Sequence, residues 1–401
     1  MSTSTLDPVS AKTASATPDQ KPSTELPDAV AFTLWFFMGL SGALRYSLLR
    51  LTGNAPKTLP VVNGLTVAFV ASSGNSLSLR QKRMFFAATM HKVHASVGLG
   101  TEEQMAEWSV LVEEKDWKGF WIPFQDRVLS PNDNRVSGER LDVSKTILGQ
   151  GSDLVIFYVH GGGYREGSAL QSMHFLLKVM NNAFAAHGTK ISFLAVEYSH
   201  APESPYPCAA NECMAAYTSL VRYHGVEPKR IVFCGESAGG NAVHTMTLRI
   251  RDDPTLGLSL PTAVISMSPW MMTDPKKESM DKHLFDTLTP YSISTMLEHY
   301  APPTITVEEL LESPYVCPLK TSTFAGLPPM LVYAGGVEIL RPSIEEFVRR
   351  AKADGVACQY ELKEERSHCW FQIDPTSTEE DRKEAIESMA LYLSKVHKGQ
   401  L

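Results

Sequence analysis

The sequence predicts an α/β protein, with a mostly parallel sheet covered by helices on both faces. Three observations carry this. From Trp117 onward, short β-rich apolar runs alternate with longer amphipathic stretches, the pattern of strand–helix–strand units. Gly188, Gly225 and Gly355 stand where the intervening helices should stop. Hydrophobic residues make up 43% of the chain and charged residues 20%, ordinary for a soluble globular protein. At 401 residues the chain exceeds the ~250–300 that one compact core usually holds. It divides into a tail (1–28), an N-terminal helical cap or lid (29–116) and an α/β body (117–401).

Each element follows from local composition. Residues 1–28 are rich in Ser, Thr, Pro and Ala and cannot bury enough apolar surface to offset their ordering entropy, so a disordered tail is expected. The tail carries acidic residues and no Arg, unlike a mitochondrial transit peptide, and the C-terminus lacks a Ser-Lys-Leu signal. Residues 30–44 form a run of 15 without charge, followed by Arg45 and Arg50. A spanning helix needs ~20 apolar residues, ~17 at the least. A lid or interfacial helix is therefore the favoured reading, and a membrane anchor through residues 30–50 the alternative. Residues 61–72 are apolar but broken by Asn63 and Gly64. Residues 76–116 read as two helices separated at 96–101, the second opening on the capping box Thr101-Glu102-Glu103-Gln104. Strands are expected at 119–124, 154–159, 191–196, 230–234, 263–267 and 330–333. Helices are expected at about 168–187, 207–224, 238–252 and 342–354.

A net charge of −7 implies no basic face and argues against a nucleic-acid partner. The six cysteines include no C-x-x-C pair, which argues against a zinc cage and a dithiol site. Reduced thiols and an intracellular location, cytoplasmic or peripheral to or anchored in an internal membrane, are the default expectation.

Three motifs fall at strand ends. His160-Gly161-Gly162-Gly163-Tyr164 follows a buried strand, and its glycines allow a sharp turn that exposes N–H groups. No Gly-Lys-Ser/Thr follows, so it is not a phosphate loop. Gly235-Glu236-Ser237-Ala238-Gly239 joins a strand to a helix as a nucleophile elbow, G-x-S-x-G. Ser237 must sit on a strained turn. Gly235 and Gly239 are required because side chains there would meet the neighbouring strand and helix. Third, a strand ending at Glu338 is followed by Ser367-His368-Cys369-Trp370-Phe371. The order Ser, acid, His is that of α/β-hydrolases. Ser237 is then the nucleophile, His368 its base, and Glu338 the group that orients the imidazole. Asp374 is a poorer candidate for the acid because it follows the His.

The motifs resemble the hormone-sensitive-lipase family of α/β-hydrolases, called family IV esterases in bacteria. HGGGY at 160–164, EYSHAPESPYP at 197–207, GESAGG at 235–240, SPW at 268–270, LPPMLVYAGGVEIL at 327–340 and SHCWF at 367–371 carry the resemblance. It implies an α/β-hydrolase fold and an oxyanion hole built from the N–H groups of Gly162, Gly163 and Ala238. It also implies that the segment before Trp117 shapes access to the site. The long apolar helix resembles that of fungal membrane-associated members such as steryl acetyl hydrolases. The sequence departs from the family pattern at several points. Glu338 stands where Asp is usual, Pro342 where a second acid is common, and Glu236 where Asp is more frequent. Tyr-Arg-Leu-Ala-Pro-Glu is replaced by Tyr198-Ser199-His200-Ala201-Pro202-Glu203, which leaves the local salt bridge undefined. His200 and His244 read as packing residues. Trp270 and Trp370 could line a pocket or belong to the core, and Cys234 and Cys369 read as buried small hydrophobes.

The expected activity is hydrolysis of short- to medium-chain acyl esters, such as acetates, of a hydrophobic alcohol through an acyl-enzyme, with no metal or cofactor. Amidase, lactonase or acyltransferase chemistry could use the same residues. A non-catalytic receptor on this fold would be expected to lack Ser237 or His368, and both are present.

Overall fold

The structure is a computed structural model that describes residues 28–73, 77–96, 98–126, 128–129, 136–137, 142–272, 285–371 and 376–401. The expected tail lies outside the described residues, except that Asp28 already belongs to the first helix.

Four helices open the chain: α1 (Asp28–Leu51), α2 (Val61–Ser73), α3 (Leu79–Ser96) and α4 (Glu102–Ala106). Asn63 and Gly64 do not break the second apolar run, because both lie inside α2. A Cβ on Gly64 would lie 2.0 Å from the Tyr46 hydroxyl, and one on Gly39 would lie 2.4 Å from the Phe69 ring. These glycines therefore let α1 and α2 pack closely. The capping box at Thr101 forms as expected, with Thr101 and Gln104 bonded reciprocally.

The reading of 76–116 as all-helical fails at its end. Val110–Glu114 is β1, an edge strand that pairs antiparallel with β2 (Trp117–Ile122). Its residues alternate between half-buried and exposed, the period of a strand with one covered face. β2 also starts and stops two residues earlier than expected, and Pro123, which has no N–H, follows it. A small ribbon, β3 (Val128–Leu129) and β4 (Val136–Ser137), precedes the body.

The body runs β5 (Leu154–Val159), α5 (Met173–His187), β6 (Ile191–Glu197), α6 (Cys208–Arg222), β7 (Ile231–Glu236), α7 (Ala238–Asp252), β8 (Ala263–Met267), α8 (Pro290–Tyr300), α9 (Val307–Leu311), β9 (Met330–Gly335), α10 (Arg341–Ala353), β10 (Cys358–Lys363) and α11 (Glu379–His397). The eight-stranded sheet has the order β1-β2-β6-β5-β7-β8-β9-β10, parallel from β6 to β10, with β1 and β2 antiparallel. β10 was not expected, because CQYELK mixes polar and apolar residues on a half-exposed edge.

Alternation along β5 sorts its side chains between the two faces. Val155, Phe157 and Val159 join a core with α6, α7 and α10. Leu154, Ile156 and Tyr158 join a core with α5 and α11. Gly188 ends α5 in the left-handed conformation at φ 70°, where a side chain would be strained. This sandwich brings the carboxyl ends of β5, β7 and β9 to one rim, where ligands of open α/β sheets bind.

Candidate active site

Ser237 sits between β7 and α7 at φ 54°, ψ −117°, a backbone region that only surrounding constraint maintains in a non-glycine residue. The constraint is visible on both sides. The Ser237 N–H donates to the Met267 carbonyl at 3.0 Å, and the Trp270 N–H donates to the Ser237 carbonyl at 2.9 Å. A Cβ on Gly239 would lie 1.9 Å from the Val159 carbonyl, and one on Gly235 would lie 2.4 Å from the Gly239 carbonyl. These are the strand and helix collisions that the motif predicts.

The glycine loop is held from beneath by Glu236. Its buried Oε1 accepts from the Gly161 N–H at 3.0 Å, the Tyr158 hydroxyl at 2.7 Å and Gln171 Nε2 at 2.8 Å. The sequence marks Glu236 only as a replacement for Asp, and the structure makes it the anchor of the loop. Gly162 has φ 110°, and a Cβ there would lie 1.9 Å from the Glu166 carbonyl. The Tyr164 hydroxyl donates to Asn241 Oδ1 at 2.8 Å, which ties the loop to α7. The Tyr198 hydroxyl donates to the His160 carbonyl at 2.9 Å. Ala238 is the first residue of α7 and is buried.

Glu338 and His368 meet across the end of β9. His368 Nδ1 lies 2.9 Å from Glu338 Oε2, and both side chains are buried. Glu338 Oε1 accepts the Gly335 N–H at 2.9 Å, which fixes the second oxygen. Burial works against the imidazolium, but the Cys369 side chain and the Glu338 carboxylate outweigh it and hold the His368 pKa well above its ordinary value. The rival acid, Asp374, lies outside the described residues.

Asp286 has a role that no motif announced. It is buried just before α8, and it accepts the His368 N–H at 2.8 Å and the Ile339 N–H at 2.7 Å. Burial raises its pKa to about 6. An isolated Asp after a polar segment gives no signal in a single sequence.

Ser237, His368 and Gly161–Gly163 line one cavity of ≈ 420 Å³, within the ~300–1,000 Å³ typical of small-molecule sites. Trp35, Val67, Phe85, Phe86 and Met90, from α1, α2 and α3, line the same cavity. Trp270 and Trp370 instead belong to the two cores. Cys234 is buried, and burial pushes its thiol pKa well up, as expected of a packing residue. His244 packs in the core with Nε2 2.9 Å from the Ser266 hydroxyl. The open question at Ser199–Glu203 resolves through the cap: Arg83 of α3 pairs with both Glu203 oxygens at 2.8 Å. Ser199 turns to Glu212, donating from its N–H and its hydroxyl at 2.6 Å each.

The profile of the alpha/beta hydrolase fold family matches residues 156–372, more than half of the chain, and the chain belongs to that family. Its relatives lie with the hormone-sensitive-lipase group. Over 240 residues it is 29% identical to an acetyl-hydrolase of Streptomyces hygroscopicus, covering 59% of this chain and 74% of that one. Over 212 residues it is 31% identical to an esterase of Acinetobacter venetianus, covering 52% of this chain and 64% of that one. The crystal structure of an esterase from the bacterial hormone-sensitive lipase family shares the fold, with a TM-score of 0.61 and 24% identity over 80% of this chain and 92% of the other. The resemblance read from the motifs is borne out.

Proposed function

We propose that the protein is a serine carboxylesterase that hydrolyses short- to medium-chain acyl esters, such as acetates, of a hydrophobic alcohol. The observation that carries this reading is the buried Glu338–His368 pair at 2.9 Å, whose His368 lines the same cavity as Ser237 on its strained turn. In the proposed cycle Ser237 Oγ attacks the ester carbonyl and its proton passes to His368 Nε2. Glu338 keeps the Nδ1–H tautomer and stabilises the imidazolium. The N–H groups of Gly162, Gly163 and Ala238 receive the oxyanion. The first two lie in a loop already fixed by Glu236 and Tyr164, and the third stands at a helix N-terminus. His368 then protonates the leaving alcohol, and water attacks the acyl-enzyme by the same route. The apolar lining from α1–α3 supports a hydrophobic alcohol or acyl group, and the acetyl-hydrolase relative supports a short acyl chain.

The test is a p-nitrophenyl ester panel from two to sixteen acyl carbons (about C2–C16, to span the cavity size), run beside a labelled fluorophosphonate. Turnover with label on Ser237 is the expected result. An active protein unlabelled at Ser237 overturns it.

Among the described residues no helix is long and apolar enough to cross a membrane. α1 nevertheless exposes Phe37 at 62%, Leu44 at 61% and Leu48 at 65%. This supports an in-plane association of residues 30–50 with a lipid surface, the exposed Arg45 meeting anionic headgroups. Flotation with anionic vesicles should carry the full chain, and a Phe37→Ser/Leu44→Ser variant should stay behind. Equal flotation of the two would refute it.

A further inference from the structure

The end of β5 and the segment after β6 bring His160, Glu197 and His200 together, with one potential ligand atom from each lying within 4.8 Å of the others. We propose that these three residues form a binding site for a divalent transition metal of the zinc class. The site is separate from the ester-hydrolysing groups, and it departs from the reading of the sequence, which expects no metal and takes His200 as a packing residue.

The donor set is two imidazoles and a carboxylate, which suits a borderline cation with an open fourth position. The state of His160 is informative. Its Nδ1 lies 2.7 Å from the Gly161 carbonyl, which can only accept, so Nδ1 carries the proton and Nε2 the lone pair. His160 is fully buried, yet that Nε2 has no hydrogen-bond partner. A buried acceptor without a donor is costly. A ring that donates one N–H to a backbone carbonyl and offers the other nitrogen is also how metal-binding histidines are usually oriented.

The buried Nε2 of His200 is also without a partner. Its ring stands at 88° to that of His160 with centroids 5.9 Å apart. Glu197 gives one oxygen to the Ala169 N–H at 2.7 Å and has a second oxygen to offer a cation.

Lys118, opposite Glu197 on β2, and Arg83 are the nearby cations. Arg83 is already paired with Glu203. Zinc bonds of ~2.0–2.1 Å bring ligand atoms to about 3.4 Å of one another, so groups now within 4.8 Å must close by up to about 1.4 Å on the ion. Glu197 and His200 are only half-buried, which gives the ion a path and the His200 segment room to move. Once bound, the metal straps the head of the glycine loop to the segment after β6.

His200 occupies the position where the family commonly has Leu, so His200→Leu removes a ligand without straining the fold. The full-length protein, stripped with a chelator, is titrated with Zn²⁺ against a chromophoric competitor. Co²⁺ is added in parallel to read the absorption of a tetrahedral nitrogen/oxygen site. The expected result is one tightly held ion per chain and a rise in melting temperature. Both should be lost in His200→Leu and in Glu197→Gln, with affinity down more than about 100-fold, since even outer partners of a ligand cost ~10–100-fold. Glu197→Gln keeps an oxygen for Ala169 and serves if His200→Leu does not fold. Metal-free His200→Leu should hydrolyse esters as the metal-free parent does. No uptake by the parent chain, or equal affinity in both variants, overturns the site.

Discussion

The Asp286 carboxylate accepts the backbone N–H of His368 at 2.8 Å through Oδ1, while its other oxygen accepts that of Ile339 at 2.7 Å. One buried side chain thus fixes the loop that carries the proposed base to the residue after the proposed acid. The Glu338–His368 bond is therefore set by two loops sharing a third anchor.

Asp286→Asn keeps one acceptor oxygen but turns an amide N–H₂ toward one of the two donors. The expected effect is a fall in kcat of roughly 10²-fold, the scale of a ~1 Å misplacement of a catalytic group, with KM nearly unchanged. A purely structural role would stop there. Asp286 also faces His368 as a negative charge. Its removal should therefore lower the His368 pKa and move the acid limb of the rate profile to lower pH. Rate profiles of parent and variant check this, and an unmoved limb would restrict Asp286 to scaffolding.

The pH dependence follows from His368. Hydrolysis needs the neutral imidazole, and the folded pKa lies well above the ordinary value of ~6.5. The rate should be full at alkaline pH and fall on acidification, with a midpoint above ~6.5. Glu338→Gln removes part of the stabilisation of the imidazolium, so its midpoint should move down while kcat also drops. Rates flat between about pH 5 and 8, with chemistry limiting, would rule His368 out as the base.

How much of this was legible in the sequence divides along physical lines. Residues bound by local rules were readable. Ser237, Gly235 and Gly239 share one tight turn, and Leu154–Val159 is a continuous apolar run whose limits were read without error. Gly188 ends its helix as expected. Residues whose roles arise from distant partners were not readable. Asp286 reaches His368 across 82 positions and Arg83 reaches Glu203 across 120. Edge strands β1 and β10 were missed or misread because each has a half-exposed face that weakens the strand signal. Asn63 and Gly64 suggested a break, yet Gly64 is needed where Tyr46 approaches α2.

Ser237→Ala should lower kcat by about 10⁴-fold or more, leaving a residual rate from oxyanion binding and substrate positioning. The protein should stay folded, because Ala has the same backbone requirement at φ 54° and loses only the hydroxyl. Circular dichroism and active-site titration check the two halves. A purified variant with near-parental kcat would dismiss Ser237 as nucleophile.

A buried ion pair beneath the His368 loop predicts a stability effect. Arg366 Nε lies 2.6 Å from Asp381 Oδ2, both side chains are 5% exposed, and Arg366 also donates to the Thr58 hydroxyl at 2.9 Å. Asp381→Ala leaves a buried guanidinium unpaired and should cost ~3–5 kcal/mol in urea unfolding. Burial alone would raise the Asp381 pKa, but bonds from Arg366, Thr378 and Lys363 outweigh it and hold it well below 3.8. The sign follows from a depressed folded-state pKa. This contribution is fully present above the unfolded value and is lost as pH falls below it, between about pH 4 and the lower folded value. The parent should thus lose stability steeply in that window and the variant less so. Parallel slopes would contradict the pairing.

The cap should set chain-length preference through Trp35. Its ring lies 4.9 Å from that of Phe69 and 5.3 Å from that of Phe85, and it lines the cavity that holds Ser237. Trp35→Ala removes apolar wall without touching the proposed catalytic groups. Burial of apolar surface stabilises by ~25 cal/mol per Å², so a long acyl chain or bulky alcohol loses more contact than an acetyl group does. KM for p-nitrophenyl decanoate should rise several-fold while kcat/KM for the acetate stays near the parental value. A wall that only supports folding would instead lower the melting temperature and scale both substrates alike. Parental KM values for both esters, in a folded variant, would show that α1 does not contact the substrate.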